Sequence, residues 1–293
     1  MSPANANPYV GPLSFTFEQR DRFFGREREA RELLALVIPE RLVLFYAQSG
    51  AGKTSLINTR LIPALKEQAG YAVLPVGRVS GPEPEHPETI KNIYVYNLLQ
   101  RLAQDGDSAA GDTGGADRYR DMTLSRFLEG LTSDDGERYW FDPHPPTAQE
   151  DAGPQDGGPI HVLVIDQFEE ILTTHPQRWR ERRDFFRQLE QAMRDDPKLW
   201  VVLSLREDFV APLDPFARLL SGRMQARYYM QRMGAEAALE AIARPAADHG
   251  RPFAPGVAET LVDNLRQVQV SGEAHTHTGQ FVEPVQLLSL IHI

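Results

Sequence analysis

Residues Arg41-Leu-Val-Leu-Phe-Tyr-Ala-Gln-Ser-Gly-Ala-Gly-Lys-Thr-Ser55 pass from an apolar strand through a loop of small residues to Lys-Thr at the head of an amphipathic helix. Few folds accommodate that order. Glycines at 50 and 52 let the loop curl so that successive backbone N–H groups point inward, while Lys53 reaches terminal phosphates and Thr54 offers its hydroxyl to magnesium. The run Ala47, Gln48, Ser49, Gly50, Ala51, Gly52, Lys53, Thr54 and Ser55 therefore reads as a phosphate cradle. It ends on a helix N-terminus, whose unpaired N–H groups and positive dipole end favour an anion. Its first position is Ala47 where Gly is usual, and Ala is small enough to leave the loop its shape.

Composition narrows the surroundings of that loop. None of the 293 residues is cysteine, so a disulfide framework, a thiolate metal site and a cysteine nucleophile are excluded. Met1 to Pro12 has no basic stretch leading into an apolar core, and no apolar run approaches the ~18 residues of a membrane span, so a cytoplasmic protein without membrane contact is expected. The formal charge is −10, and residues 103–159 carry most of it, with 13 acidic side chains against 4 basic. Such a balance gives no general electrostatic case for nucleic acid. The basic run Arg178, Arg180, Arg182, Arg183 and Arg187 is interleaved with Glu181 and Asp184 and reads as a solvated helix face.

Five apolar runs predict the strands of one sheet: Leu42 to Tyr46, Ala72 to Val76, Ile160 to Ile165, Trp200 to Leu205 and Tyr228 to Met230. Four are rich in Val, Ile and Leu without alternation, the pattern of strands buried on both faces. Helical stretches lie between them at Lys53 to Leu65 (broken or kinked by Pro63), Ile90 to Leu102, Thr123 to Leu131 and Arg178 to Arg194. The alternation predicts an α/β fold with a five-stranded parallel sheet between helices. Within 103–159, the segments Asp105 to Asp117 and Thr147 to Pro159 lack periodicity and read as loops, with Leu124 to Leu131 and Tyr139 to Phe141 docking on the core. Beyond the fifth strand the chain reads as purely helical. Ala235 to Ala243 forms one helix, Arg244-Pro245 its break and Gly256 to Val268 another; 271–280 is a polar loop, and Pro284 opens a last helix.

A second set of residues completes the chemistry. Ile160-His-Val-Leu-Val-Ile-Asp166 is an apolar strand ending in aspartate, placed to hold magnesium through water. Glu169 and Glu170 follow within one helical turn, where a carboxylate can orient or deprotonate an attacking water. Arg206 ends the strand Leu199-Trp-Val-Val-Leu-Ser-Leu-Arg206 and suits stabilisation of transferring phosphoryl charge, or else pairs with Glu207 or Asp208. His161 reads as a packed histidine, and His275 and His277 lack a third ligand for a metal.

In this order the motifs resemble the STAND class of P-loop ATPases, and within it the bacterial group called novel STAND NTPase 1. The resemblance rests on Asn7-Pro-Tyr-Val-Gly-Pro-Leu-Ser-Phe15, Phe23-Phe-Gly-Arg-Glu-Arg-Glu29, Gln48 to Ser55, Asp166-Gln-Phe-Glu-Glu170, Leu203-Ser-Leu-Arg-Glu-Asp208 and Ala241-Ile-Ala-Arg-Pro-Ala246. It implies an ASCE or AAA+-like core over 41–233 after an N-terminal segment, 1–40, and before a helical lid and an incomplete winged-helix-like segment, 234–287. It also implies that Gly25, Arg26 and Glu27 lie near an adenine, that Pro245 touches adenine or ribose, and that the cofactors are ATP or ADP with Mg2+. Members of the class are regulated switches that self-assemble in the ATP-bound form under a fused sensor or effector region. A constitutive AAA+-like motor or loader, and a nucleotide-binding scaffold without hydrolysis, are the alternative readings. The ending Leu288-Ser-Leu-Ile-His-Ile293 corresponds to the codons CTG TCT CTT ATA CAC ATC, the transposon end of a common sequencing adapter. The natural protein is accordingly expected to continue beyond about Leu287.

Overall fold

Val43, Leu44 and Phe45, like Val162 to Ile165 and Val201 to Leu203, are buried residue after residue, which requires packing on both sides of each strand. A computed structural model describes residues 7–103, 117–133, 139–142, 159–269, 276–282, 284 and 287. The chain falls into two compact units, one of Met1–Ala35, Ala47–Ala64 and Tyr229–Ile293, the other of Leu36–Tyr46 and Leu65–Tyr228.

The second unit is built on a five-stranded parallel sheet of β1 (Leu42–Ala47), β2 (Ala72–Val73), β3 (His161–Ile165), β4 (Leu199–Arg206) and β5 (Ala226–Met230), in the order β2-β3-β4-β1-β5. Register runs His161 to Leu199 through Ile165 to Leu203, and Ala72 to His161 beside it. β2 is shorter than its apolar run because Pro75 has no N–H for the ladder; the backbone rejoins β3 only at Gly77, opposite Ile165. β5 alternates in burial, as an edge strand with one covered face does.

Helices Ile93–Ala103 and Trp179–Asp195 flank this sheet, with Phe168, Phe185, Phe186 and Phe216 interlocked beneath the second. Asn92 caps the first by accepting from the N–H groups of Tyr94 (3.1 Å) and Val95 (3.2 Å). Two of the arginines read as solvated turn inward instead. Arg178 donates to the carbonyls of Pro87 (2.8 Å) and Ile90, and Arg182 to that of Leu172 (2.9 Å), so they tie loops to the helix. The docking of the inserted segment is borne out: Leu124, Phe127, Tyr119 and Phe141 are buried in the same core, and Phe127 stacks on Phe141 at 5.6 Å. The remaining low-complexity residues of that segment lie outside the described residues, as do His275 and Leu288 to Ile293.

In the first unit, the helix that follows the glycine loop runs Lys53–Leu56, widens to a π turn over Ile57–Leu61, and resumes as Ile62–Glu67, whose last residues belong to the other unit. Pro63 neither breaks nor ends it. In a regular α-helix its ring would press on the carbonyl of residue 59; the π turn, in which Ile62 N–H reaches the carbonyl of Ile57, shifts the ladder ahead of it. A second expectation is corrected at Pro245, which lies inside one continuous helix, Ala235–Asp248. The C-terminal region is also not purely helical. Met233–Gly234 pairs with Phe281–Val282, and Gln267–Gln269, of which Gln267 and Val268 were expected as helix, pairs with Thr276–Thr278, expected as loop. Met233, Ile242, Val262 and Val282 form a small core of their own here.

Candidate functional site

β1 delivers the buried Ala47 to the glycine loop, and Gly50 (φ 73°) and Gly52 (φ 97°) both adopt the left-handed conformation that turns successive N–H groups to one side. Nothing lies within 4 Å of a Cβ built on Gly52, so Gly52→Ala carries only a backbone cost of about 1–2 kcal/mol. Lys53, first residue of the helix, turns its ammonium back onto the carbonyls of Ala47 (3.3 Å) and Gln48 (3.4 Å). Both contacts are long, and an anion seated on the loop would replace them readily. Ser49 and Gly50 are exposed, Thr54 is half-buried, and the buried Ser55 accepts the Phe15 N–H at 3.1 Å.

The loop is held in shape by a residue from the N-terminal segment. Arg26 is only 1% exposed, and its guanidinium donates to the carbonyl of Ala51 at 3.1 Å, to that of Gln231 at 3.0 Å and to Glu29 at 2.7 Å. Arg232, next in the chain to Gln231, bonds the Gln48 side-chain oxygen. Gly25, ahead of Arg26, has φ 80°, and a Cβ there would sit 2.3 Å from the Ala237 carbonyl oxygen. Gly25→Ala therefore combines a left-handed penalty with a backbone clash and is expected to cost at least about 2 kcal/mol, more than Gly52→Ala, in urea unfolding of the two variants. Glu27 pairs with Arg60 at 3.7 Å and is partly exposed. Pro245 is buried on its helix. Beside these residues a narrow cleft of about 30 Å³ has Phe15, Phe23, Phe24, Met233 and Ala241 in its walls, with Arg22 at its edge.

In the second unit, Asp166 closes β3 with 2% exposure, and its Oδ1 accepts the Ser204 hydroxyl at 2.7 Å. Gln167 is left-handed (φ 53°), and Phe168 then donates its N–H to the Ser204 carbonyl at 2.7 Å. The acidic turn is thus pinned to β4 on both sides of a strained residue. Glu169 accepts the Arg206 backbone N–H at 3.3 Å, and Glu170 accepts the Ser80 hydroxyl. The Arg206 side chain pairs with Asp208 at 2.6 Å; both partners are well exposed (42% and 58%), so the pair is worth little and can open. Asp166, Glu169 and Arg206 are brought together through Ser204 and the backbone of Arg206. Ser204 and Ser80 were not singled out from the sequence. A lone hydroxyl in the apolar run of β4 was the available signal for Ser204, whereas nothing local marks Ser80.

Among the described residues no cluster of three or more His, Asp or Glu side chains forms a metal cage. The Thr54 hydroxyl and the buried Asp166 carboxylate are each an oxygen donor of the kind Mg2+ takes. No described helix is long and apolar enough to cross a membrane.

Glycine loop, sheet order and acid-terminated strand define a P-loop NTPase. The family model for novel STAND NTPase 1 matches residues 8–277, and the chain belongs to that family. Among solved structures it is similar to the Walker-type ATPase PABY2304 of Pyrococcus abyssi, with 14% identity, a TM-score of 0.52 and coverage of 98% of this chain and 69% of that one. It also aligns with the ORC2 protein of Aeropyrum pernix in ADPNP–ADP complexes, at 11% identity and TM-score 0.47 over 89% of this chain and 60% of that one. For Drosophila ORC bound to DNA the values are 13%, 0.48, 99% and 62%. The chain therefore spans less than two thirds of the length of these two proteins. At 14% identity the likeness to the Pyrococcus abyssi ATPase is one of fold. No curated protein sequence matches.

Proposed function

We propose that the protein is a magnesium-dependent, slowly hydrolysing ATPase module that works in the cytoplasm as a nucleotide-controlled conformational and oligomerisation switch, in signalling or defence. The observation that carries the reading is the glycine loop itself, left-handed at Gly50 and Gly52 and braced by a buried arginine at Ala51. Loop N–H groups and the Lys53 ammonium bind the ATP phosphates, and Thr54 and Asp166 would hold the magnesium. That ion supplies charge neutralisation on the β- and γ-phosphates. Glu169 or Glu170 takes the proton of the attacking water, and Arg206, once released from Asp208, meets the charge that develops on the phosphoryl oxygens. In this reading the base lies beside the narrow aromatic cleft at Phe23 and Phe24, next to Gly25, Arg26 and Glu27, with Pro245 on the neighbouring helix.

A switch needs a second input. Moving a population from 1:99 to 99:1 takes about 5.5 kcal/mol of differential binding, whereas a ligand at 100 times its Kd supplies about 2.7 kcal/mol. Nucleotide and signal act together in this reading, the signal arriving through a sensor or effector region of a longer protein. Calorimetric titration with ATP and ADP, alongside phosphate release, tests it. Lys53→Ala should remove ATP binding, and unchanged affinity would overturn the assignment of the loop. Rapid turnover without any signal would instead favour a constitutive motor.

A further inference from the structure

A polar cleft in the second unit adjoins the acidic turn through Ser80, and its other lining residues take no part in the chemistry above. It has about 200 Å³ of open volume and lies between the loop after β2 (Arg78, Ser80, Gly81) and one face of helix Ile93–Ala103 (Asn97, Gln100, Arg101). Two cations therefore share one small space. Arg78 makes no hydrogen bond or ion pair with the described residues. Asn97 is 3% exposed, and although its Nδ2 donates to the Val79 carbonyl at 3.1 Å, its Oδ1 has no partner. That oxygen faces Gly81, where a Cβ would lie 3.0 Å from it. A buried acceptor without a donor is costly, and one in the wall of a basic cleft marks where a ligand hydrogen belongs.

We propose that this cleft binds the hydrogen phosphate ion, HPO4(2−). Its oxygens take the Arg78 guanidinium, beside which Arg101 adds a second positive charge, and its O–H donates to Asn97 Oδ1 as the side-chain-free backbone at Gly81 gives way. Sulfate has the same size and shape but carries no O–H at neutral pH, so it leaves the asparagine oxygen unsatisfied. A site built around a buried acceptor rejects the ligand that lacks the donor. Ser80 joins this cleft to the acidic turn, since its hydroxyl is held by Glu170.

The inference does not depend on hydrolysis of ATP, and its test removes the glycine loop from play. Full-length Lys53→Ala protein is titrated with inorganic phosphate, sulfate and glycerol 3-phosphate, following heat and amide chemical shifts. Phosphate should bind at one site at least about tenfold more tightly than sulfate. Arg78→Gln should weaken both anions by about tenfold. Gly81→Ala, which covers Oδ1 without a left-handed penalty, should abolish the preference for phosphate while circular dichroism stays unchanged. Glycerol 3-phosphate, chiefly a dianion without an O–H on phosphorus at neutral pH, should bind more weakly than phosphate, and tighter binding would overturn the role given to the O–H donor. No saturable phosphate binding, or equal affinity for phosphate and sulfate that Gly81→Ala leaves unaltered, overturns it.

Discussion

Arg26→Ala is expected to lower stability by about 3–5 kcal/mol, the range for removing one partner of a buried ion pair. Truncation leaves Glu29, itself 8% exposed, without its 2.7 Å partner, and strips a donor from the carbonyls of Ala51 and Gln231. One buried acceptor, the Ala51 carbonyl, and one buried charge are then unpaired at once, while the carbonyl of the exposed Gln231 loses a donor. The loss should appear in urea unfolding, and ATP affinity should fall with it because Ala51 belongs to the phosphate loop. Adding Glu29→Ala should recover part of the stability but not the affinity, since the stranded carboxylate is removed while Ala51 stays unbraced. A loss under about 1 kcal/mol for Arg26→Ala would show that the brace is not structural.

The second large effect falls on turnover. Of Glu169→Gln and Glu170→Gln, one should lower ATP hydrolysis by about 10²–10⁴-fold, the usual contribution of a general base, and leave ATP binding within a few-fold. Each carboxylate is tethered, Glu169 to the Arg206 N–H and Glu170 to the Ser80 hydroxyl, so a glutamine can keep that tether while losing the base. Single-turnover phosphate release with parallel binding measurements separates the two effects. Full hydrolysis by both variants would remove this pair from the mechanism.

The phosphate loop and the acid-terminated strand were legible because both are short, contiguous and flanked by strands buried on two faces. The five strands were likewise visible as apolar runs, and only β2 was overestimated, at Pro75. Pro63 and Pro245 were read as breaks. Each occupies a helix that continues past it, one through a π turn and the other with the proline buried against neighbours that repay the missing bond. What the sequence hid was distant pairing. Arg26 meets Gln231 across 205 positions, and Met233–Gly234 meets Phe281–Val282, a two-residue ladder too short to leave a pattern. Burial of Arg26 follows from those meetings and from no local property.

The π turn at Ile57–Leu61 leaves the helix with one residue more than a regular winding needs, and the changeover between the two units falls a few residues later, after Ala64. Wide turns are the soft joints of a helix, because their carbonyls are already displaced from the ladder. Thr59 takes up one of them, its hydroxyl donating to the Ser55 carbonyl at 2.7 Å. The turn that carries Lys53, Thr54 and Ser55 is thereby fastened to the widened stretch behind it by a side chain as well as by the backbone.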